Sequence, residues 1–502
     1  MTAGSDRDLE SPSESDQDQT TASNLRRHVV RGGSFFFAVR TIAQVMQWSV
    51  TLIVASLLVP ADYGIMTSAT LLIGFADLMS EAGIGRALVQ RQQCSPRDLA
   101  QTFTLSLVLA IVFYMLVFAI AGPIAQHLRR PEFAWFARTI GLVVFCTPFR
   151  SVAGAVLETN LHLKQQSTIH LIFSATQSLV VLNLAWWGLG YWALGLGSVC
   201  ARVLEVVLVI HISRWRPTCA WLDRSAWGFV RFGLTINLGV LLWFLYSNAD
   251  FAVVGWSLGD QALGVYSLAF QLISLPVQRI SANVNQVMYA VFCRLQDEPQ
   301  LIRNWFLRLA RLMAAVSTPA LVGLALVADD ALSILGPQWG AAVVPFRLLC
   351  PVGIIMVVSS ALPQLLVALN RPDINLKYTA TCALLFPIGF LLASQHDGIK
   401  GVCVVWLTLY PVLVIGLFHV TRHITSISVG DIIRSLRPVV PCTLVMMAVV
   451  WSTRTLCPAD APMLRLCLAV IVGVVSYSAC IGLLARNTII SDLILIRRDI
   501  RG

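Results

Sequence analysis

The sequence predicts an all-α, polytopic membrane protein with about fourteen transmembrane helices. Three observations lead there. Hydrophobic residues make up 57% of the 502 positions and charged residues only 12%, with a mean hydropathy of +0.75. The apolar runs are about 20 residues long, as a helix needs to cross roughly 30 Å of hydrocarbon. Lys and Arg crowd into alternate loops. A soluble chain of this size cannot cover so much apolar surface, and the short alternating runs of an outer-membrane barrel are not seen.

Residues 1–24 are polar and mostly acidic (Asp6, Asp8, Glu10, Glu14, Asp16, Asp18). They bury too little to fold and read as a disordered cytosolic tail, with no cleavable signal. Spans are expected at 34–58, 63–84, 99–122, 134–158, 167–188, 191–212, 231–257, 261–289, 304–328, 344–369, 374–394, 398–419, 437–454 and 462–485. Gly188 and Gly190 turn the chain between the fifth and sixth, where Trp186, Trp187, Tyr191 and Trp192 form an interfacial belt.

Loops on one side hold about two dozen basic residues, from Arg26, Arg27 and Arg31 through Arg86, Arg91, Arg97, Arg214 and Arg216 to Arg497 and Arg501. The other side holds about five: Arg129, Arg130, Lys400, Arg454 and Arg465. The positive-inside rule assigns the rich side, and with it both termini, to the cytosol. An even number of spans follows. No loop after the tail is long enough for a domain of its own.

The net charge of +10 does not point to nucleic acid, because the basic residues stand singly or in pairs between apolar spans. The twelve cysteines lie mostly within spans, where they act as small hydrophobes, and no CxxC pair has metal spacing. Cys457 and Cys467 flank an outer loop, where a disulfide is possible but not fixed by spacing. No Walker A loop or Rossmann fingerprint is present.

An internal repeat is visible. Val59-Pro60-Ala61-Asp62-Tyr63-Gly64 joins the first two spans, and Leu258-Gly259-Asp260-Gln261-Ala262-Leu263-Gly264-Val265-Tyr266 joins the seventh and eighth. Both are tight turns with Asp, Gly and Tyr between long helices. The expected organisation is therefore an N-terminal lobe at 25–213 and a cytosolic linker at 214–230. A C-terminal lobe follows at 231–423, and a terminal helix pair with the cytosolic C-terminus at 424–502. The lobes would be related by a pseudo-twofold axis along the membrane normal, an arrangement typical of transporters.

Ionisable residues inside spans are costly, so they face a partner or an internal cavity. The candidates for binding an anionic substrate are Arg202, Arg279, Arg40, Arg150 and Arg347. A guanidinium suits phosphate because its planar fork donates two hydrogen bonds at once. Asp77, Glu81, Glu205 and Asp250 are the candidates for coupling to a proton or Na⁺ gradient. A largely cationic cavity is the resulting expectation. Against it, Arg202 and Glu205 stand three residues apart and can neutralise each other, and Arg40, Arg150 and Arg347 can snorkel. Gln44, Gln47, Asn237, Asn248, Asn283, Asn285 and Gln286 add hydrogen-bonding capacity.

Several elements together resemble the polysaccharide-transport branch of the multidrug/oligosaccharidyl-lipid/polysaccharide exporter superfamily, the O-antigen-type flippases. They are Pro60-Ala61-Asp62-Tyr63-Gly64, Glu81 to Gln90, Asp250 to Tyr266, Arg294-Leu295-Gln296-Asp297 and Gly336-Pro337-Gln338-Trp339. The resemblance covers roughly residues 25–425. It implies two six-helix lobes plus a terminal pair, alternating access and no catalysis. The implied cargo is an undecaprenyl-pyrophosphate-linked oligosaccharide for exopolysaccharide or lipopolysaccharide synthesis at the inner membrane. Membrane lipids, a polysaccharide polymerase and export machinery are the implied partners, and nucleic acid is not. No cofactor is expected. Three alternatives stay open: a peptidoglycan-precursor flippase, a drug exporter with an aromatic and less cationic cavity, and a membrane glycosyltransferase or polymerase. For the last, Asp329-Asp330 in an outer loop is the acidic pair that could bind a divalent cation.

Overall fold

The computed structural model describes residues 42–91, 94–160, 163–221, 223, 226–296, 298–458, 461–484 and 491. The acidic tail and Arg40 lie outside them, as do the side chains of Asn283, Asn285 and Gln286. The described residues are overwhelmingly helical and contain no strand. Eleven helices among them are long and apolar enough to cross a membrane, and Ile42–Leu57 is a shorter apolar helix.

The first half comprises α1 (Ile42–Leu57), α2 (Pro60–Glu81), α3 (Ile84–Arg91), α4 (Pro96–His127), α5 (Pro131–Gly141), α6 (Thr147–Thr159), α7 (Leu163–Trp186) and α8 (Tyr191–Ser213). Local chemistry sets their ends. Pro60 opens α2 at a position where its missing N–H costs nothing. The Asp62 carboxylate accepts from the Val59 N–H at 3.2 Å. Ser95 and Asp98 cap α4 reciprocally, at 3.0 and 3.1 Å. A 3-10 segment, Leu142–Cys146, joins α5 to α6 in one apolar crossing.

The second half comprises α9 (Ala226–Arg294), α10 (Pro299–Leu326), α11 (Ala328–Leu335), α12 (Val343–Ser359), α13 (Ala361–Ala368) and α14 (Pro372–Thr425). A short amphipathic α15 (Val429–Leu436) leads to the terminal pair α16 (Val439–Leu456) and α17 (Pro462–Cys480). Two of these are hairpins rather than rods. The Tyr266 hydroxyl donates to Asp250 at 2.6 Å, although sixteen residues along one straight helix would separate them by about 24 Å. The chain reverses at Gly259, whose φ of 84° a side-chain-bearing residue rarely adopts. In α14, Phe386 and Trp406 approach to 4.6 Å between ring centroids, because the chain turns back at Gly398 (φ 56°).

The interior is divided. One core takes in most of the second half, including Trp406, Phe386, Phe390 and Tyr266, and extends to Val54 and Ala55 of α1 and to Leu58 just after it. Two smaller cores lie within the first half, around Phe133, Phe136 and Ile140, and around Ile84, Leu88 and Phe103. The terminal pair has its own, with Met446, Val450 and Tyr477. Many large apolar side chains face outward, including Leu483, Leu384 and Val412. Lipid, not protein, is their solvent. The molecule is a multi-pass membrane protein.

Cys457 and Cys467 are free thiols in this structure. Asp329 and Asp330, expected in an outer loop, are helical instead. They open helix α11 and are held by arginines. Arg454 reaches Asp330 at 2.9 Å and Asp329 at 3.2 Å. Arg465 lies 3.6 Å from Asp330. Among the described residues no group of three or more His, Cys, Asp and Glu could hold a metal ion.

Candidate functional site

A cavity of 1560 Å³ runs between the two halves. Its walls come from α1 to α3, α7, α8, both arms of α9, and α12 to α14. One end is built from tight backbone contact. A Cβ on Gly64 would land on the Asp260 carbonyl, and a Cβ on Gly264 would land on the Pro60 carbonyl. The contact is reciprocal: each glycine meets the residue four positions before the other glycine. Only hydrogen at these α-carbons lets the two backbones approach so closely.

Side chains reinforce this end. His127 of α4 stacks on Trp256 at 3.6 Å between centroids and its Nε2–H donates to the Trp256 carbonyl at 3.0 Å. Arg130 lies 3.7 Å from Asp260. The Trp339 indole N–H donates to the Ala55 carbonyl at 2.8 Å, and the Tyr63 ring meets Trp339 edge-on at 5.4 Å. These contacts explain the Asp-Tyr-Gly and Gly-Pro-Gln-Trp elements as fasteners. At the opposite, Arg-rich end, the lining residues Arg86 and Asp373 are exposed, so that end is the mouth.

Among the described residues the wall is largely uncharged. Aromatic groups include Trp243, Tyr246, Phe270, Tyr378, Trp406 and Tyr410, interleaved with Gln47, Gln177, Asn248, Gln271, Gln278 and Gln364. Arg86 and Asp373 are the charged lining residues among those described. The largely cationic lining that was expected is not seen among the described residues; Arg40 lies outside them.

The four described arginines of the expected substrate-binding set are placed elsewhere, and Arg40 lies outside the described residues. Arg150 lies 3.7 Å from Asp77, which also accepts from the Thr147 hydroxyl. Arg202 binds Glu205 at 2.6 Å and covers the Phe173 ring at 5.1 Å. Arg347 is paired with Asp329 and donates to the Ala325 carbonyl at 3.2 Å. Arg279 is half-buried beside the lining residue Gln278, and engages a partner of its own. Glu81 sits near Gly85 at the close of α2. None of these residues lines the cavity. A charge in a low-dielectric span finds an opposite charge first, because leaving it bare costs several kcal/mol or more.

Asp250 stands beside the wall without lining it. It is fully buried and accepts from Tyr266 at 2.6 Å, the Trp406 indole at 2.9 Å and the Phe251 N–H at 2.8 Å. Phe251 and Trp406 line the cavity, so the carboxylate stands one layer behind it.

Depth-based reading missed the aromatic and amide wall. A signal was available. Gln271, Ser274, Gln278 and Ser281 recur at helical spacing within one apolar arm, and Trp406, Tyr410, Val414 and Leu417 do so in another.

The comparisons with known proteins bear on this arrangement. Residues 53–344 match the family described as "Polysaccharide biosynthesis protein". The chain belongs to that family. It is 27% identical over 343 residues to the teichuronic acid biosynthesis protein TuaB of Bacillus subtilis, covering 66% of this chain and 69% of that one. It is 26% identical over 349 residues to the lipopolysaccharide biosynthesis protein WzxC of Escherichia coli, covering 68% and 70%. Its fold is similar to that of the lipid II flippase MurJ in an inward closed conformation. The TM-score is 0.75 at 11% identity, over 90% of this chain and 99% of that one. The superfamily resemblance read from the sequence stands. This is a membrane transport protein of polysaccharide biosynthesis.

Proposed function

We propose that the chain flips an undecaprenyl-pyrophosphate-linked oligosaccharide from the cytosolic to the outer face of a bacterial inner membrane, by alternating access. The carrying observation is the cavity between the halves, walled by aromatic rings and amides, closed at one end by the Gly64–Gly264 crossing and open at the other. Aromatic faces stack on the apolar faces of sugar rings, and amides both donate and accept for hydroxyls. A pocket of this kind suits a head group, while the lipid tail stays in the bilayer.

In this reading the Arg-rich mouth faces the cytosol, with both termini. Each of the two hairpins supplies two crossings, and Ile42–Leu57 supplies the first, which brings the total to fourteen. The reciprocal glycine contact supports two pseudo-twofold-related lobes at 25–213 and 231–423, joined by 214–230 and followed by the pair within 424–502. Transport needs no catalytic group, and the acidic pair Asp329-Asp330 serves to hold arginines. A polysaccharide polymerase and export machinery would act on the delivered units.

One observation favours a second reading: an aromatic, weakly charged cavity also suits small amphipathic drugs. Efflux of a lipophilic cationic dye that depends on the intact gene would support it. The deciding experiment deletes the gene and locates the lipid-linked oligosaccharide. Completed units trapped on the cytosolic face are expected. An unfinished sugar chain would replace the proposal with a transferase, and finished units stranded outside would replace it with a polymerase.

A further inference from the structure

We infer that the first half holds a small monovalent metal cation between α2 and α6, on the side-chain oxygens of Asp77, Glu81, Thr147 and Ser151. The site is separate from the cavity, which none of the four lines. Asp77 and Glu81 stand four residues apart on α2, so their carboxylates share one face. Thr147 and Ser151 repeat that spacing on α6. The two pairs meet in register. At one level the Thr147 hydroxyl donates to Asp77. One turn on, Glu81 and Ser151 come together beside Gly85. The three atoms nearest to a Cβ placed on Gly85 would be the Ser151 hydroxyl at 3.1 Å, the Glu81 carboxylate at 3.5 Å and the Ser151 carbonyl at 3.6 Å. All three are oxygens.

A second observation points to a ligand. Ser151 is 8% exposed, and its hydroxyl is buried with no hydrogen-bond partner among the described residues. Buried hydroxyls are normally satisfied, and a hard cation takes oxygen ligands of this kind. Charge sets the valence. Arg150 lies 3.7 Å from Asp77, so two carboxylates and one guanidinium leave one net negative charge. A monovalent ion balances it, whereas a divalent ion would overshoot. The Asp77 side chain is 30% exposed, which leaves it within reach of an ion. Carboxylates at such depth in a span are costly, and they mark ion sites more often than lipid contacts.

The test uses the full chain in nanodiscs and measures equilibrium binding of radiolabelled Na⁺ and, separately, K⁺, with choline chloride holding the ionic strength constant. Saturable binding of at least one of the two, at a single ion per chain, is expected. Asp77→Asn and Glu81→Gln should each weaken it roughly tenfold or more, because each removes a charged ligand, and Ser151→Ala roughly threefold, because it removes a neutral one. Saturable binding of neither ion by the native chain would overturn the site. So would an unchanged affinity in monodisperse Glu81→Gln and Ser151→Ala, which would place the bound ion elsewhere. No cargo enters the measurement, so neither result bears on the flippase reading.

Discussion

At the scale of single residues, the buried carboxylate of Asp250 is a strong constraint. It gathers the Tyr266 hydroxyl, the Trp406 indole and the Phe251 N–H, and so ties the two arms of α9 to α14. Replacing it with Ala removes the acceptor and leaves buried donors unsatisfied, a cost of about 2–4 kcal/mol. Asp250→Ala should therefore lower the thermal midpoint in detergent markedly, and Asp250→Asn less so, because an amide oxygen still accepts. A midpoint unchanged in Asp250→Ala would show that the network does not hold the fold. Arg150 and Asp77 are each about a third exposed (30% and 30%), so their pairing is screened. A double-mutant cycle with Arg150→Gln and Asp77→Asn should give a coupling of only about 0.5–1 kcal/mol. These charges were legible in the sequence as intramembrane ionisable residues. Their partners were not, because Asp77 and Arg150 are brought together only by the packing of α2 on α6.

At the scale of elements, the terminal pair is docked rather than tethered. Arg454 and Arg465 converge on Asp330, whose side chain is 6% exposed. The Tyr477 hydroxyl donates to the Ala315 carbonyl of α10 at 2.7 Å. Removing one partner of a buried ion pair costs about 3–5 kcal/mol. Asp330→Ala should release α16 and α17, read as faster amide hydrogen exchange in 439–480, and Arg454→Ala should do the same. Exchange unchanged in both variants would show that apolar packing alone holds the pair. The short α15 is held differently. Burial by itself would raise the Asp431 carboxyl, yet hydrogen bonds from Ser428 and the Arg303 guanidinium at 2.9 Å outweigh it and hold it below the usual carboxylate range. A depressed folded-state value means that this stabilisation is complete above the ordinary carboxylate range and is lost as pH falls through the lowered value. Hydrogen exchange at 429–436 should stay slow at neutral and mildly acid pH and rise only below that range. Asp431→Asn should exchange fast throughout. The Ser428-to-Asp431 capping signature was legible in the chain; the Arg303 partner, more than a hundred residues away, was not.

At the scale of the whole molecule, the reciprocal crossing of Gly64 and Gly264 decides which end of the cavity is shut. Adding a side chain there forces the backbones apart, and small-to-large changes at a close contact cost about 1–3 kcal/mol. Gly264→Val should shift the population toward a form open at the Arg-poor end. A cysteine placed at the lining position Thr67, in a background without native cysteines, should then react several-fold faster with an impermeant maleimide added outside. Unchanged reactivity would mean that the His127–Trp256 and Arg130–Asp260 contacts keep the end closed without the crossing.

The amino-acid sequence by itself determined that the chain lives in a bilayer and is built of helices. Span length and apolar content answer to hydrocarbon thickness, which acts locally on each segment. It also showed the turn at Gly259, because a positive φ in a tight turn is a local demand that glycine meets, and it carried the family's short motifs. The azimuth of each helix was a tertiary decision. Depth along a span says how far a charge lies from water but not which way it points. Arg150, Arg202 and Arg347 went to carboxylates, and the wall of the cavity went to tryptophan, tyrosine and glutamine. That outcome follows from long-range packing in a low dielectric, where opposite charges combine before a cavity can claim them.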